Sequence, residues 1–225
     1  MRKRRLAARA LELLDVVVPR ECAGCGGVIV APALICERCQ KHLRLPPRQI
    51  SRPVPLGLPV WALGPYSDVR RNLIVSMKER GNRAVRSHVA AVYTAGIEYL
   101  RARGEIPEEI VLVPAPTRLN SARARGGDPV EQICEKVVAS LPHMRTCTAL
   151  KVRELAADQS DLNAGQRWEN MRTAVHLTRA ASQVAGTRIV LVDDVVTTGA
   201  TLSASAARLR GAGGVVDGAI VLAEA

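Results

Sequence analysis

The stretch Ile189–Ser203, reading IVLVDDVVTTGATLS, holds the residues of this chain best suited to chemistry. Four apolar residues, Ile189 to Val192, read as a buried parallel strand that ends in two adjacent carboxylates, Asp193 and Asp194. Val195 and Val196 follow, then the small-residue turn Thr197-Thr198-Gly199-Ala200-Thr201 and an Ala-rich helical run to Leu209. Free backbone N–H groups at a helix start, joined by Thr hydroxyls, can cradle a phosphate. Gly199 permits close backbone approach and a positive φ. Carboxylates accept hydrogen bonds from vicinal hydroxyls and help hold Mg²⁺. The pattern therefore points to a site for a phosphorylated sugar. Two carboxylates at the end of a buried strand are costly unless a ligand or metal meets them.

A second constellation lies near the N-terminus. Cys22-x₂-Cys25 and Cys36-x₂-Cys39 are two knuckles separated by ten residues, with Gly24, Gly26 and Gly27 in and after the first. This is the spacing of a closed tetrahedral Cys₄ zinc site, here expected to hold structural Zn²⁺ that folds the module instead of catalysing. His42, three residues beyond Cys39, offers an alternative ligand but reads as solvated. A module of this size lacks a core of its own and relies on such a clip. Cys134 and Cys147 are isolated and read as small buried side chains.

The elements that must position these groups follow from periodicity. Residues 1–44 read as an N-terminal helix and the Cys₄ module, 45–60 as an extended linker with five prolines, and 61–225 as the main domain. Trp61–Tyr66 reads as an edge strand, Arg70–Lys78 as a helix that Gly81 stops, and residues 85–102 as a second helix with Val89, Val92, Tyr93, Ile97 and Leu100 inward. Ile110–Pro114 is a second buried strand, leading into a loop with Arg118, Arg123 and Arg125. A helix over Pro129–Ser140 comes next, and Val215–Leu222 is a last short strand. The alternation predicts an α/β fold, a doubly wound parallel sheet flanked by helices, with ligands beyond the strands' C-terminal ends.

At 225 residues, with 48% hydrophobic and 24% charged residues, the chain has the composition of a soluble globular protein. No apolar run approaches the length of a membrane span. The N-terminal MRKRRLAARALELLDVVVP is interrupted by Glu12 and Asp15 and lacks a small-residue cleavage site. It reads as a short amphipathic helix, with Leu6, Ala10, Leu13, Leu14 and Val17 on one face, and the expected localisation is cytoplasmic. The net charge of +11 lies wholly in residues 1–104, where 19 Lys/Arg face 7 Asp/Glu. That asymmetry fits either a polyanion-facing surface, with nucleic acid the first candidate, or a solvated basic surface in an Arg-rich chain. Five aromatics give no clear base-stacking platform, so any nucleic-acid contact would be directed to the backbone.

Residues 189–203 resemble the 5-phosphoribosyl-1-pyrophosphate (PRPP) signature of type I phosphoribosyltransferases: four apolar residues, two acids, two apolar residues, then T-T-G-x-T. The order of parts resembles the ComF family (ComFC/GntX-like), which joins a four-Cys zinc module to a type I phosphoribosyltransferase domain. Tyr66…Lys78…Gly81, Val113-Pro114-Ala115-Pro116, Arg118, Arg125-Gly126, and Arg153…Gln159…Leu162…Arg167-x-x-Asn170 match its recurrent features across roughly residues 10–223. Where that family continues Phe-Asn-Gln after Arg-Gly, this chain has Gly127-Asp128-Pro129. The change is expected to alter the loop's shape and stiffness and to bear on turnover more than on PRPP binding.

The resemblance implies a PRPP site in which Thr197, Thr198, Gly199, Ala200 and Thr201 hold the 5′-phosphate, with Val195 and Val196 leading into the turn. Asp193 and Asp194 would hold the ribose hydroxyls and organise Mg²⁺, while Lys78 would contact phosphate. Arg118, Arg123 and Arg125 would neutralise the departing pyrophosphate, and Arg167 and Asn170 would sit on a closing hood. It also implies a role in natural transformation, the uptake of single-stranded DNA beside a competence helicase. A glycosyltransferase of nucleobase salvage and a regulatory PRPP sensor are the competing expectations. Acceptor and oligomeric state are not encoded in any transferable pattern.

Overall fold

A computed structural model describes residues 20–30, 32–51, 56–78, 81–117, 127–152 and 174–225. The main sheet has six strands in the order β3-β4-β10-β9-β5-β6. These are β3 (Arg48–Gln49), β4 (Val60–Ala62), β5 (Val111–Pro114), β6 (Arg145–Thr146), β9 (Arg188–Val196) and β10 (Val215–Glu224). All neighbours pair in parallel except β3, which runs antiparallel to β4. The sheet is thus mixed but mostly parallel, flanked by helices, as the alternation predicted.

Strand residues alternate between two apolar layers. Leu112, Val190, Val192, Ile220 and Leu222 face a layer built by α2 (Asp68–Lys78), α3 (Arg83–Ala102) and α4 (Pro129–Ser140). Val113, Ile189, Leu191, Ala219 and Val221 face the other, which includes Leu202, Ala206 and Leu209 of α5 (Ala200–Gly211). The inward face of α5 carries Ala200, Ala204, Ser205 and Ala206, so the helix lies close to the sheet.

Two elements differ from their sequence-based reading. Trp61 does not lie on an edge: β4 is flanked by β10 and by β3, and the stretch read as a linker supplies β3. The strand before the Thr/Gly turn does not end at the acidic pair. β9 continues through Asp193 and Asp194 to Val196 because β10 runs beside it to that point, pairing Val221 with Asp193 and Glu224 with Val196. The helix over Pro129–Ser140 forms as expected and Gly127-Asp128-Pro129 starts it, while residues 118–126 of the loop before it lie outside the described residues. Gly127 takes φ +119, Asp128 Oδ1 accepts from Val130 N at 2.8 Å, and Pro129 occupies the first turn, where no N–H is required.

The Cys-rich segment folds as β1 (Arg20–Glu21) paired antiparallel with β2 (Val28–Ile29), followed by α1 (Glu37–Leu43). Cys22, Ile35, Cys39 and Leu43 join the same apolar layer as Leu73, Met77 and Tyr93, so the module shares its core with the sheet domain. Asn72 Nδ2 donates to Gly24 O at 2.8 Å. The fully buried Arg70 donates to Leu63 O at 2.6 Å and His42 O at 3.4 Å. β7 (Leu150–Val152) and β8 (Val175–Leu177) form a separate antiparallel pair.

Candidate functional site

The acidic pair lies within β9, just beyond the level at which its neighbour β5 ends. Pro114, the last residue of β5, lies opposite Val192, and Ala115 N donates to Val192 O at 2.7 Å. The V-P-x-P segment and the acidic pair therefore emerge side by side, in the crevice where open parallel sheets bind ligands. Alternation along β9 sends the two carboxylates to opposite faces. Asp194, 5% exposed, is buried and meets the ammonium of Lys78, the last residue of α2, at its Oδ2. Asp193 is half-buried. Its Oδ1 accepts from Asp194 N at 2.9 Å, and Asp194 Oδ1 accepts from Val195 N at 2.8 Å. Burial and then the neighbouring Asp194 carboxylate raise Asp193 well above the usual carboxyl range, against the pull of Lys78.

Beneath the pair lies Tyr93 of α3, 1% exposed, whose hydroxyl donates to the backbone carbonyl of Asp193 at 2.5 Å. Burial, Asp194 and Asp193 raise its phenol well above the ordinary value, so it stays a neutral donor.

The Thr/Gly turn leads straight into α5. Gly199 is its N-cap at φ +78, and no side chain caps there. A Cβ at this position would also lie 2.4 Å from Leu56 Cδ2. Thr198 Oγ1 accepts from Ala200 N at 3.4 Å, while Thr197 is exposed and Thr201 half-exposed. The helix start thus presents N–H groups and hydroxyls without a bulky capping side chain, a geometry suited to an anion.

The structure brings Asp193, Asp194, the 195–201 turn and Lys78 together. Arg118, Arg123, Arg125, Arg153, Gln159, Leu162, Arg167 and Asn170 lie outside the described residues. The sequence reading took Tyr93 as core alone and passed over Arg86. Arg86 is fully buried on α3 and donates to Met77 O at 3.1 Å and, through Nη1, to Gln132 Oε1.

At the other end of α2, the sulfurs of Cys22, Cys25, Cys36 and Cys39 all lie within 4.8 Å of one another. Cys25 and Cys36 are 3.8 Å apart, the separation that a tetrahedral metal at about 2.3 Å from each sulfur requires. Cys22 Sγ accepts from Cys36 N at 3.2 Å and Gly24 N at 3.4 Å, as a thiolate would. Burial pushes the Cys22 thiol up, but the N–H groups of Cys36, Cys25 and Gly24 outweigh it and the net shift is downward. The Gly27 N–H, then Cys39 and the Arg38 guanidinium, lower Cys25 to about 6, whereas burial and its neighbouring thiols raise Cys39. Four soft donors in this arrangement fit Zn²⁺. His42 is exposed, bonds Ser67 Oγ at 3.0 Å, and is not a member of the cluster. Cys134 and Cys147 are both buried free thiols.

Residues 145–224 match the family model of the phosphoribosyl transferase domain. The matched segment runs from β6 to the end of β10 and contains the whole acidic pair, the Thr/Gly turn and α5. Over these residues the chain is similar to phosphoribosyl transferases, which agrees with the sheet and with a helix start whose geometry suits an anion. No curated protein matches the chain. Among the described residues no helix is long and apolar enough to cross a membrane.

Proposed function

We propose that this chain is a PRPP-binding protein of the phosphoribosyltransferase family, of the ComF type, acting in single-stranded DNA uptake or related DNA handling. The observation that carries the PRPP reading is the acidic pair followed by an uncapped helix start at the C-terminal end of the central strand. The phosphoribosyl transferase match over the same residues supports it. The DNA reading rests on the family resemblance and on the basic excess of residues 1–104.

In this reading the N–H groups and hydroxyls of Thr197, Thr198, Gly199, Ala200 and Thr201 bind the 5′-phosphate, and Asp193 and Asp194 accept from the ribose hydroxyls. Lys78 exchanges Asp194 for a phosphate oxygen when the sugar arrives. Arg118 and Arg125 meet the pyrophosphate as the acceptor displaces it from C1. These residues work by position and charge. Mg²⁺ bound with PRPP supplies further neutralisation of the leaving group. The four thiolates hold Zn²⁺ as a structural ion.

Titration of the zinc-loaded protein with PRPP and Mg²⁺ by calorimetry tests the pocket, and saturable binding is the expected result; its absence overturns the PRPP reading. Repeating the titration with single-stranded DNA across a salt series tests the second half. DNA affinity should fall steeply with salt, and no affinity at low salt removes the DNA-handling role. Pyrophosphate release with a nucleobase, together with indifference to DNA, would place the chain in salvage instead.

A further inference from the structure

The four clustered sulfurs have unequal surroundings. Cys22 and Cys39 are buried, whereas Cys25 and Cys36 form a half-exposed edge. Four thiolates around one Zn²⁺ leave two negative charges in excess, which nearby donors offset. Two residues outside the ligand set reach this arrangement, each from a different helix.

The first is Arg38 of α1, set between Cys36 and Cys39 in the second knuckle. Its guanidinium donates to the Cys25 sulfur on the exposed edge and lies near the charges of Cys36 and Cys39. Arg38, Cys25 and Cys39 line one open cavity.

The second is Asn72 of α2, in the sheet domain and on the rim of the same cavity. Its Nδ2 donates to Gly24 O at 2.8 Å. That carbonyl belongs to the planar peptide whose N–H, on Cys25, is directed at Cys22 Sγ. Holding the oxygen therefore holds the donor. Gly24 itself is wedged in place: a Cβ there would lie 3.1 Å from Cys39 Sγ and 3.1 Å from Val69 Cγ1 of α2. The first knuckle is thus gripped from outside its own module.

We infer that Arg38 and Asn72 complete the metal centre. Arg38 offsets charge at its exposed edge, and Asn72 is a positioning residue that aims a backbone N–H at Cys22. The inference rests on the zinc reading above. It makes the sheet domain a contributor to metal affinity, which a self-contained four-Cys clip would not be.

The experiment measures Zn²⁺ affinity of the full-length protein by competition with a chromophoric chelator, and the absorption of the Co²⁺-loaded form. Arg38→Gln should weaken Zn²⁺ about fivefold, less than the ordinary outer-shell loss because Arg38 is exposed, and the loss should shrink with added salt. It should also move the Co²⁺–thiolate charge-transfer band to longer wavelength, since a hydrogen-bonded sulfur holds its electrons more tightly. Arg38→Lys, which keeps a charged donor, should retain most of the affinity. Arg44→Gln, which removes the same charge from the far end of α1, should change neither quantity.

Asn72→Ala should weaken Zn²⁺ about tenfold at every salt concentration and alter the Co²⁺ ligand-field bands. Equal losses in Arg38→Gln and Arg44→Gln would overturn the role of Arg38. Unchanged ligand-field bands in Asn72→Ala would overturn the positioning role, leaving a contact between module and domain alone. Should Asn72→Ala fail to fold, Asn72→Asp, of the same size but without the donor, decides on the same bands. A wild-type protein that takes up neither metal removes the zinc reading and the inference with it, a result distinct from any difference among variants.

Discussion

Lys78 and Asp194 form an ion pair across the crevice, joining the C-terminal residue of α2 to the buried member of the acidic pair. The two residues are 116 positions apart in the chain, and the parallel sheet brings them together. Asp194 is 5% exposed, and the Lys78 ammonium is the charge that faces its buried carboxylate.

Replacing Lys78 with Met should therefore destabilise the ligand-free protein by about 1–3 kcal/mol, the cost of a buried carboxylate left without its cation. Lys78 is partly exposed, which keeps the figure at the lower end of what buried pairs give. Chemical denaturation of the ligand-free protein measures it. An unchanged midpoint would mean that Asp194 gains nothing from the pair.

Asp193 makes a prediction of opposite sign. Its folded value is raised above the ordinary 3.8 by burial and by Asp194, so the folded chain holds its proton more tightly than the unfolded chain does. The stability this contributes is complete below about pH 4 and is lost as pH rises through the raised folded value. Asp193→Asn keeps the oxygen that accepts from Asp194 N but cannot ionise. Near neutral pH the variant should melt above wild type, the two should converge near pH 4, and PRPP binding should be lost. Melting curves from pH 4 to 8 check the crossover; parallel curves would contradict the assignment.

Gly199 meets two constraints at once, a left-handed backbone and contact with Leu56. Gly199→Ala should cost about 1–3 kcal/mol and weaken binding of inorganic phosphate. Adding Leu56→Ala should recover the steric part and leave the backbone part. Denaturant midpoints of the single and double variants separate the two, and no recovery would show that backbone strain carries the whole cost.

Chelation of the metal should unfold the segment around Cys22–Leu43 and expose Leu73 and Met77, which share its core. Hydrogen exchange with and without chelator should show loss of protection in α1 and along α2. A protein purified without metal and with full protection in both would refute the Cys₄ assignment.

Much of this architecture is readable in local sequence, because the apolar runs before Asp193 and up to Pro114 are long and uninterrupted, and the four Cys spacings admit few alternatives. What escaped depends on partners distant in the chain. The length of β9 is set by β10, which continues to Glu224 and keeps the acidic pair inside the ladder. Trp61 reads as an edge residue until Arg48–Gln49 is seen to cover β4. Arg86 and Tyr93 could not be singled out, since their meaning lies in carbonyls of α2 and β9.

α2 is 11 residues long, about 16 Å of helix, and both of its ends are pinned. Near its start, Arg70 and Asn72 grip the Cys-rich module through the carbonyls of His42 and Gly24. At its finish, Lys78 rests on Asp194. The module is therefore less an appendage than a bearing: it fixes the axis of the rod that delivers a cation to the crevice. Were that module to unfold, the chain would keep every residue of the acidic pair and the Thr/Gly turn, yet lose the alignment of Lys78, the described cation that faces them.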